Sequence, residues 1–224
     1  MLKELQKIFG RKGLMEQALD DSVEMLKEDW EMFRESVKSL RESETAELKI
    51  DIEDKDSKIN KFERDVRKKV LTHLAVNDVG DLNVGLVLIS IVIDIERIGD
   101  YTKNIVELAQ NHPGKLYVKE WEDTIKEIEG TVSKNFGVLI QAFEESDSDL
   151  AKKLIDDLWK VKNECDNCMW VLLKDGGTKV TVPDAVAFAL YMRYLKRISS
   201  HLMNAASSII VPFHRIGYRE KNKN

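Results

Sequence analysis

Proline, cysteine and long apolar runs are all scarce in this sequence. Its 224 residues include only three prolines and two cysteines. So few prolines leave long helices uninterrupted, and so few cysteines exclude a disulfide-rich scaffold and fit a reducing compartment. The longest apolar run, residues 84–93, is about half of the roughly twenty residues that a membrane span needs. Because residues 1–13 are charged and lack the apolar core of a signal peptide, we expect a cytoplasmic protein.

A strong charge of either sign is also missing. The formal net charge is −5, and acidic and basic residues are interleaved along the chain. Nucleic-acid binding needs a dense basic face, which this pattern does not supply, so we expect no nucleic-acid partner. The locally basic stretch at residues 215–223 is interpreted as a solvated C-terminal tail.

What the chain does contain is six long segments with apolar residues at helical spacing. They cover residues 14–40, 45–74, 82–111, 118–143, 149–174 and 183–211. Pro113 and Gly114 stop the third segment and divide the chain into two sets of three helices. We therefore predict an all-α fold of two tandem antiparallel three-helix bundles related by internal duplication. The first bundle, with an N-terminal lead-in, would cover residues 1–112, and the second, with the basic tail, residues 113–224.

One acidic pair stands out within the third segment. Glu96 and Asp100 are four residues apart, which places both carboxylates on one face of a helix, and Asn104 continues that face. Two like charges one turn apart are unfavourable unless a cation or a basic side chain neutralises them. The pair is therefore either a solvated helix face, neutralised by a residue such as Arg97, or part of a site for a hard metal cation.

The residues around this pair recur one hundred positions later. The identities that are kept are Arg97 and Arg197, Ile98 and Ile198, and Asn104 and Asn204. The acidic pair itself is lost, because Lys196 and Ser200 stand in the places of the glutamate and the aspartate. A lysine ammonium does not ligate a hard cation. A cation-binding face is therefore predicted in the first half, and no metal site in the second.

The run Asp-Ile-Glu-Arg-Ile-Gly-Asp at residues 94–100, with Asn104 and Ile105 after it, resembles the signature of PhoU proteins. Further residues that fit the family pattern are Asp56, Ile59, Asn60, Glu63 and the stretch at 147–153. The resemblance covers residues 14–212, which is most of the chain.

This resemblance implies a fold of two three-helix bundles and a function without enzymatic activity. PhoU proteins are cytoplasmic negative regulators of phosphate uptake. They act by contact with a phosphate transporter and a membrane sensor histidine kinase, usually as homodimers. Their paired acidic motifs, one in each bundle, bind iron, zinc or other divalent ions. For this chain we expect a PhoU-like regulator with at most one metal site, in the first bundle.

The resemblance also suggests the ligands of that site. They are Glu96 and Asp100, completed by Asp56 and Glu63 from the second helix. Oxygen donors of this kind suit Mg, Mn, Fe or Ca better than Zn. In the second bundle, Lys196 and Ser200 depart from the family pattern, so the chain is a divergent member. Glu164 is expected to form an ion pair with Lys196 there.

Two other functions stay open. The first is a metal-free helical scaffold, such as an accessory protein of a phosphate permease. The second is a metalloenzyme of the carboxylate-bundle class, which needs Glu-x-x-His pairs that this sequence does not contain.

Several remaining features have structural interpretations. Cys165 and Cys168 form a C-x-x-C pair, but they lie on an apolar helical stripe and are interpreted as core residues. The amphipathic residues 2–12 are either a flexible lead-in or a short helix that contacts a membrane surface or a partner. The tryptophans are expected to pack in the core or between the bundles, and they are Trp30, Trp121, Trp159 and Trp170.

Overall fold

The computed structural model describes residues 13–77, 79–174 and 180–218, and this part of the chain folds into six long helices without strands. The helices are α1 (Leu14–Arg41), α2 (Ile52–Val76), α3 (Leu82–Asn111), α4 (Glu122–Glu145), α5 (Ser148–Lys174) and α6 (Val182–Ile210). Short 3₁₀ turns lie at Val79–Asp81, Lys119–Trp121 and Phe213–Arg215. The all-α prediction is confirmed.

Capping side chains set where some of these helices begin, α2 and α6 among them. The Asp51 carboxylate accepts hydrogen bonds from the backbone N–H groups of Glu53 and Asp54, at 3.1 and 3.0 Å. This cap satisfies two of the amide groups that the first turn leaves without partners, so α2 begins at residue 52 and not at the predicted residue 45. At the start of α6, the Thr181 hydroxyl accepts from the backbone N–H of Asp184 in the same way.

Each half buries apolar side chains among its own three helices. Helices α1, α2 and α3 pack against one another, and so do α4, α5 and α6. The buried residues of the two halves join in a single core, because α1 also packs on α4 and α3 on α6. The prediction of two three-helix bundles is confirmed, whereas the boundary between residues 112 and 113 stays a prediction.

The contacts between the halves join equivalent positions of the repeat. Phe33 of α1 packs on Phe136 of α4, with ring centroids 5.5 Å apart, and these residues are 103 positions apart, as are Trp30 and Ser133 beside them. In α3 and α6, Tyr101 stacks on His201, one hundred positions later, with ring centroids 5.7 Å apart. Residues that correspond by duplication therefore face each other, as expected for two copies related by a twofold rotation.

In the described part of the chain, no helix has both the length and the hydropathy that crossing a membrane requires. Two predictions lie outside the described residues and are not addressed by the structure. They concern the amphipathic residues 2–12 and the part of the basic tail beyond residue 218.

Candidate functional site

Helices α2 and α3 carry the four predicted ligands on one face of the first half. Asp56 and Glu63 lie on α2, while Glu96 and Asp100 lie on α3 one turn apart. Burial raises the pKa of Glu96, and the carboxylates of Asp100, Glu63 and Asp56 raise it further, against the opposing effect of Arg97. The charges of the other three carboxylates therefore act on Glu96, and we refer to these four residues as the acidic face.

On α3, a single arginine neutralises the acidic pair. Arg97 Nη1 lies 3.2 Å from Asp100 Oδ2, and Arg97 Nε lies 3.6 Å from Glu96 Oε2. The Arg97 and Asp100 side chains are about half exposed, so these ion pairs contribute little to stability. They do reduce the repulsion between the two carboxylates.

The carboxylates on α2 also have basic partners. Glu63 Oε1 lies 2.7 Å from Arg67 Nη2 on the same helix. Asp56 Oδ2 lies 3.1 Å from Lys103 Nζ on α3, so that this pair links the two helices. Within residues 13–77, 79–174 and 180–218, no group of three His, Cys, Asp or Glu side chains is close enough to hold a metal ion. The four-residue ligand set therefore stays a prediction.

A fifth carboxylate, which was not among the predicted ligands, lies beneath the acidic face. Asp29 of α1 is completely buried, and neither of its carboxylate oxygens has a hydrogen-bond partner among the described residues. Burial raises its pKa well above the usual range, and the charges of Glu96 and Asp56 add to the effect. An unpaired buried carboxylate is rare, because it costs several kcal/mol if it is ionised.

The residue opposite Asp29 is a glycine. A Cβ atom added at Gly99 would lie 2.9 Å from Asp29 Oδ1 and 3.3 Å from Ile59 Cδ1. Only glycine therefore leaves room for the buried carboxylate between α1 and α3. Asp29 lies at an apolar position of α1, between the buried Leu26 and Phe33. An acidic residue at an apolar position of a helix is the sequence signal from which the buried Asp29 could have been predicted.

The donor chemistry of this region suits a hard cation, because every candidate ligand is a carboxylate and the buried Asp29 beneath them has no hydrogen-bond partner among the described residues. A cation there would satisfy Asp29 and lower the repulsion at Glu96. The side-chain positions instead hold the acidic face in ion pairs with Arg97, Arg67 and Lys103. Metal binding would require these pairs to open.

In the second half, Lys196 forms an ion pair, but its partner is not the predicted one. Lys196 Nζ lies 2.6 Å from both carboxylate oxygens of Asp166, so the expected pair between Glu164 and Lys196 is wrong. Two residues along a helix correspond to a rotation of about 200°, so the two acids point to different neighbours. Asp166 faces α6, whereas Glu164 borders the groove between α5 and α4.

The C-x-x-C pair belongs to the core, as predicted. Cys165 and Cys168 are both buried and form no disulfide. Burial raises the pKa of Cys168 to about 11 and that of Cys165 further, so both stay protonated thiols near neutral pH. The expectation that every tryptophan is packed is wrong for two residues of α5, Trp159 and Trp170, which are 38% and 57% exposed.

Comparison with known proteins identifies the family. The model of the PhoU domain matches the chain twice, at residues 22–109 and 125–209. The chain belongs to the PhoU family. The first match covers most of α1 to α3 and the second most of α4 to α6, so the family model follows the internal duplication.

Two solved PhoU structures have the same fold. PhoU from Pseudomonas aeruginosa is 22% identical, with a TM-score of 0.75 over 88% of this chain and 95% of that one. The phosphate transport system regulatory protein PhoU from Streptococcus pneumoniae is 15% identical, with a TM-score of 0.66 over 88% of this chain and 91% of that one. No curated protein matches this PhoU-family chain by sequence.

Proposed function

We propose that this PhoU-family protein regulates phosphate uptake by contact with other proteins. The observation that carries the proposal is the double match to the PhoU domain over both halves of the chain. The name of the similar Streptococcus pneumoniae protein, a regulatory protein of a phosphate transport system, points in the same direction. Membership of this family favours regulation over catalysis, and so over the carboxylate-bundle metalloenzyme.

The proposed partners are a phosphate transporter and a membrane sensor histidine kinase. Both follow from the family, together with a cytoplasmic location and a homodimeric state. Co-purification with each membrane protein, after crosslinking in cells, tests the two contacts separately. Recovery of neither partner from cells that express both would contradict this part of the proposal.

We further propose that the acidic face binds one divalent or trivalent cation, such as Mg, Mn, Fe, Ca or Zn. Asp29 supports this proposal, because a buried carboxylate without a partner is stabilised by a nearby cation. The residues that would hold the ion are Asp56, Glu63, Glu96 and Asp100. A bound cation would join α2 to α3 and would supply positive charge where Arg97 and Lys103 now pair with the acids.

Deletion of the gene tests the regulatory role. Expression of a reporter for phosphate-starvation genes is measured during growth in abundant phosphate. We expect the reporter to be active in the deletion strain, because a negative regulator is missing, and to be silenced again by the intact gene. An unchanged reporter in the deletion strain would contradict the proposed function.

The same strain separates a metal-dependent regulator from a metal-free scaffold. It is complemented with the Glu96→Gln/Asp100→Asn variant, and in parallel with Asp157→Asn, a variant of an acid on α5 in the second half. We expect the first variant to fail and the second to restore silencing. Full silencing by both variants would favour the metal-free scaffold.

A further inference from the structure

A groove of about 380 Å³ lies between α5 and α6, away from the acidic face. Its wall includes the apolar side chains of Ile155, Trp159, Met203 and Ile210. Trp159 remains 38% exposed there, although a ring of this size is usually covered. The volume and the apolar lining are typical of sites for small organic molecules.

The segment after α6 forms one side of this groove. The backbone N–H of Gly217 donates to the Ser207 hydroxyl at 3.0 Å, which fixes the segment against α6. Gly217 has a φ of 77°, and a Cβ atom there would lie 3.0 Å from Asn204 Oδ1. Glycine therefore allows the chain to fold back over α6, and the groove is a built feature of the fold.

The charge of the groove differs from that of its counterpart in the first half. The counterpart contains two acids, Asp100 and Glu107, beside Arg97 and Lys103. One hundred positions later the acids become Ser200 and Ser207, and Lys103 becomes Met203. Among the described residues, 180–218 included, no acid lines the groove in the second half, while Lys162 and Arg215 supply two positive charges.

Lys162 is the cation that α5 contributes to this groove. No described carboxylate forms an ion pair with it, because the nearby Asp166 is bound by Lys196. Its ammonium lies 5.5 Å from the centroid of the Trp159 ring. Burial lowers the pKa of Lys162, and the positive charge of Lys196 lowers it further, against the opposing effect of Asp166. The negative charge of an anion in the groove would favour the protonated ammonium and so oppose both effects.

We propose that this groove binds a small organic anion that carries an aromatic ring. The anionic group, a phosphate, sulfonate or carboxylate, pairs with Lys162, and the ring packs on Trp159 and Met203. The site is independent of the acidic face and of the proposed phosphate regulation. It gives the second half, which has lost the family's acidic pair, a ligand of opposite charge.

The test uses anilinonaphthalene sulfonate, an aromatic anion whose fluorescence rises on binding, and phenylnaphthylamine, which has the same rings without the sulfonate. We expect Lys162→Met to weaken binding of the sulfonate about tenfold, the loss of one charged hydrogen bond, and to leave the neutral dye unaffected. Trp159→Ala should weaken the binding of both dyes. Lys162→Arg, which keeps the positive charge, should bind the sulfonate about as tightly as the intact protein does.

The matched controls are Lys160→Met on the opposite side of α5 and Trp170→Ala at its exposed end. Neither should change the affinity for the sulfonate. Equal effects of Lys160→Met and Lys162→Met would overturn the proposal. Phenyl phosphate should displace the bound dye, whereas inorganic phosphate at the same concentration should not. Equal displacement by both would show that the ring contributes nothing, and would also overturn the proposal.

Discussion

Lys196 Nζ of α6 lies 2.6 Å from each carboxylate oxygen of Asp166 on α5. Lys196 stands where the first half has Glu96, so a residue of the acidic pair has become one end of an ion pair between two helices. Both side chains are partly exposed, at 23% and 34%. The pair therefore stabilises the contact between α5 and α6 without the full cost of burying two charges.

Lys196→Met is expected to lower the free energy of unfolding by about 1 kcal/mol, because Asp166 loses its bidentate partner but stays in reach of water. Urea unfolding followed by circular dichroism measures the change. The matched control is Lys152→Met, which removes a well-exposed pair with Asp149 at 2.9 Å and should change stability by less than about 0.5 kcal/mol. Equal stability of the two variants would contradict a stabilising role for the pair between Lys196 and Asp166.

Asp29→Asn is expected to stabilise the metal-free protein at neutral pH, because it removes a buried acid that has no partner and whose ionisation the fold opposes. The pKa of Asp29 is raised in the folded state, so the folded protein holds this proton more tightly than the unfolded chain does. Its stability is thus highest below the unfolded pKa and falls as pH rises through the folded pKa.

Thermal unfolding in a chelator, at acidic and at neutral pH, measures this effect. Asp29→Asn should raise the melting temperature at neutral pH and flatten its dependence on pH. Glu127→Gln, which changes an exposed acid on α4, is the control and should do neither. A lower melting temperature for Asp29→Asn at neutral pH would show that the carboxylate has a stabilising partner after all.

Gly99→Ala and Gly130→Ala are expected to change stability in opposite directions. Both glycines lie inside long helices, where alanine is favoured by about 1 kcal/mol. At Gly130 a Cβ atom meets nothing within 4 Å, so this gain is realised. At Gly99 it would lie 2.9 Å from Asp29 Oδ1, and the overpacking should cost about 1–3 kcal/mol. Chemical denaturation measures both changes, and stabilisation by both would contradict the close approach of α1 and α3.

Arg41→Met is expected to be strongly destabilising. Arg41 joins the halves, with its Nη2 2.6 Å from Glu122 and its Nε 3.1 Å from Glu129 on α4, and the Tyr191 hydroxyl also donates to Glu129. Removal of the arginine leaves Glu129 charged and largely buried, at a cost of about 3–5 kcal/mol. The Arg41→Met/Glu129→Gln double variant should recover part of this loss in urea unfolding, and no recovery would argue against the pairing.

The helices and their duplication were predictable from the sequence, because apolar periodicity and the repeat at one hundred positions are properties of the chain itself. Arg97 and Arg197 mark that repeat without any knowledge of packing. The start of α2 was missed, since the Asp51 cap competes with the helical pattern before it. Helix ends depend on single hydrogen bonds that periodicity does not report.

The candidate site was less predictable than the fold. Glu96 and Asp100 were found from their spacing, but Asp29 is distant in sequence and its importance lies in burial, which arises only when α1 packs on α3. The choice between Glu164 and Asp166 as the partner of Lys196 depends on which side of α5 faces α6. Burial and helix facing are set by how the helices pack, which the sequence pattern alone does not report.

The most direct test of the central claim, that only the first half keeps a cation-binding face, is equilibrium dialysis with Mn²⁺. We expect the intact protein to bind one ion per chain and the Glu96→Gln/Asp100→Asn variant to bind none. The Asp157→Asn/Glu164→Gln variant, which alters the second half, should bind as the intact protein does. Failure of the intact protein to bind Mn²⁺, or loss of binding in the second-half variant, would contradict the claim.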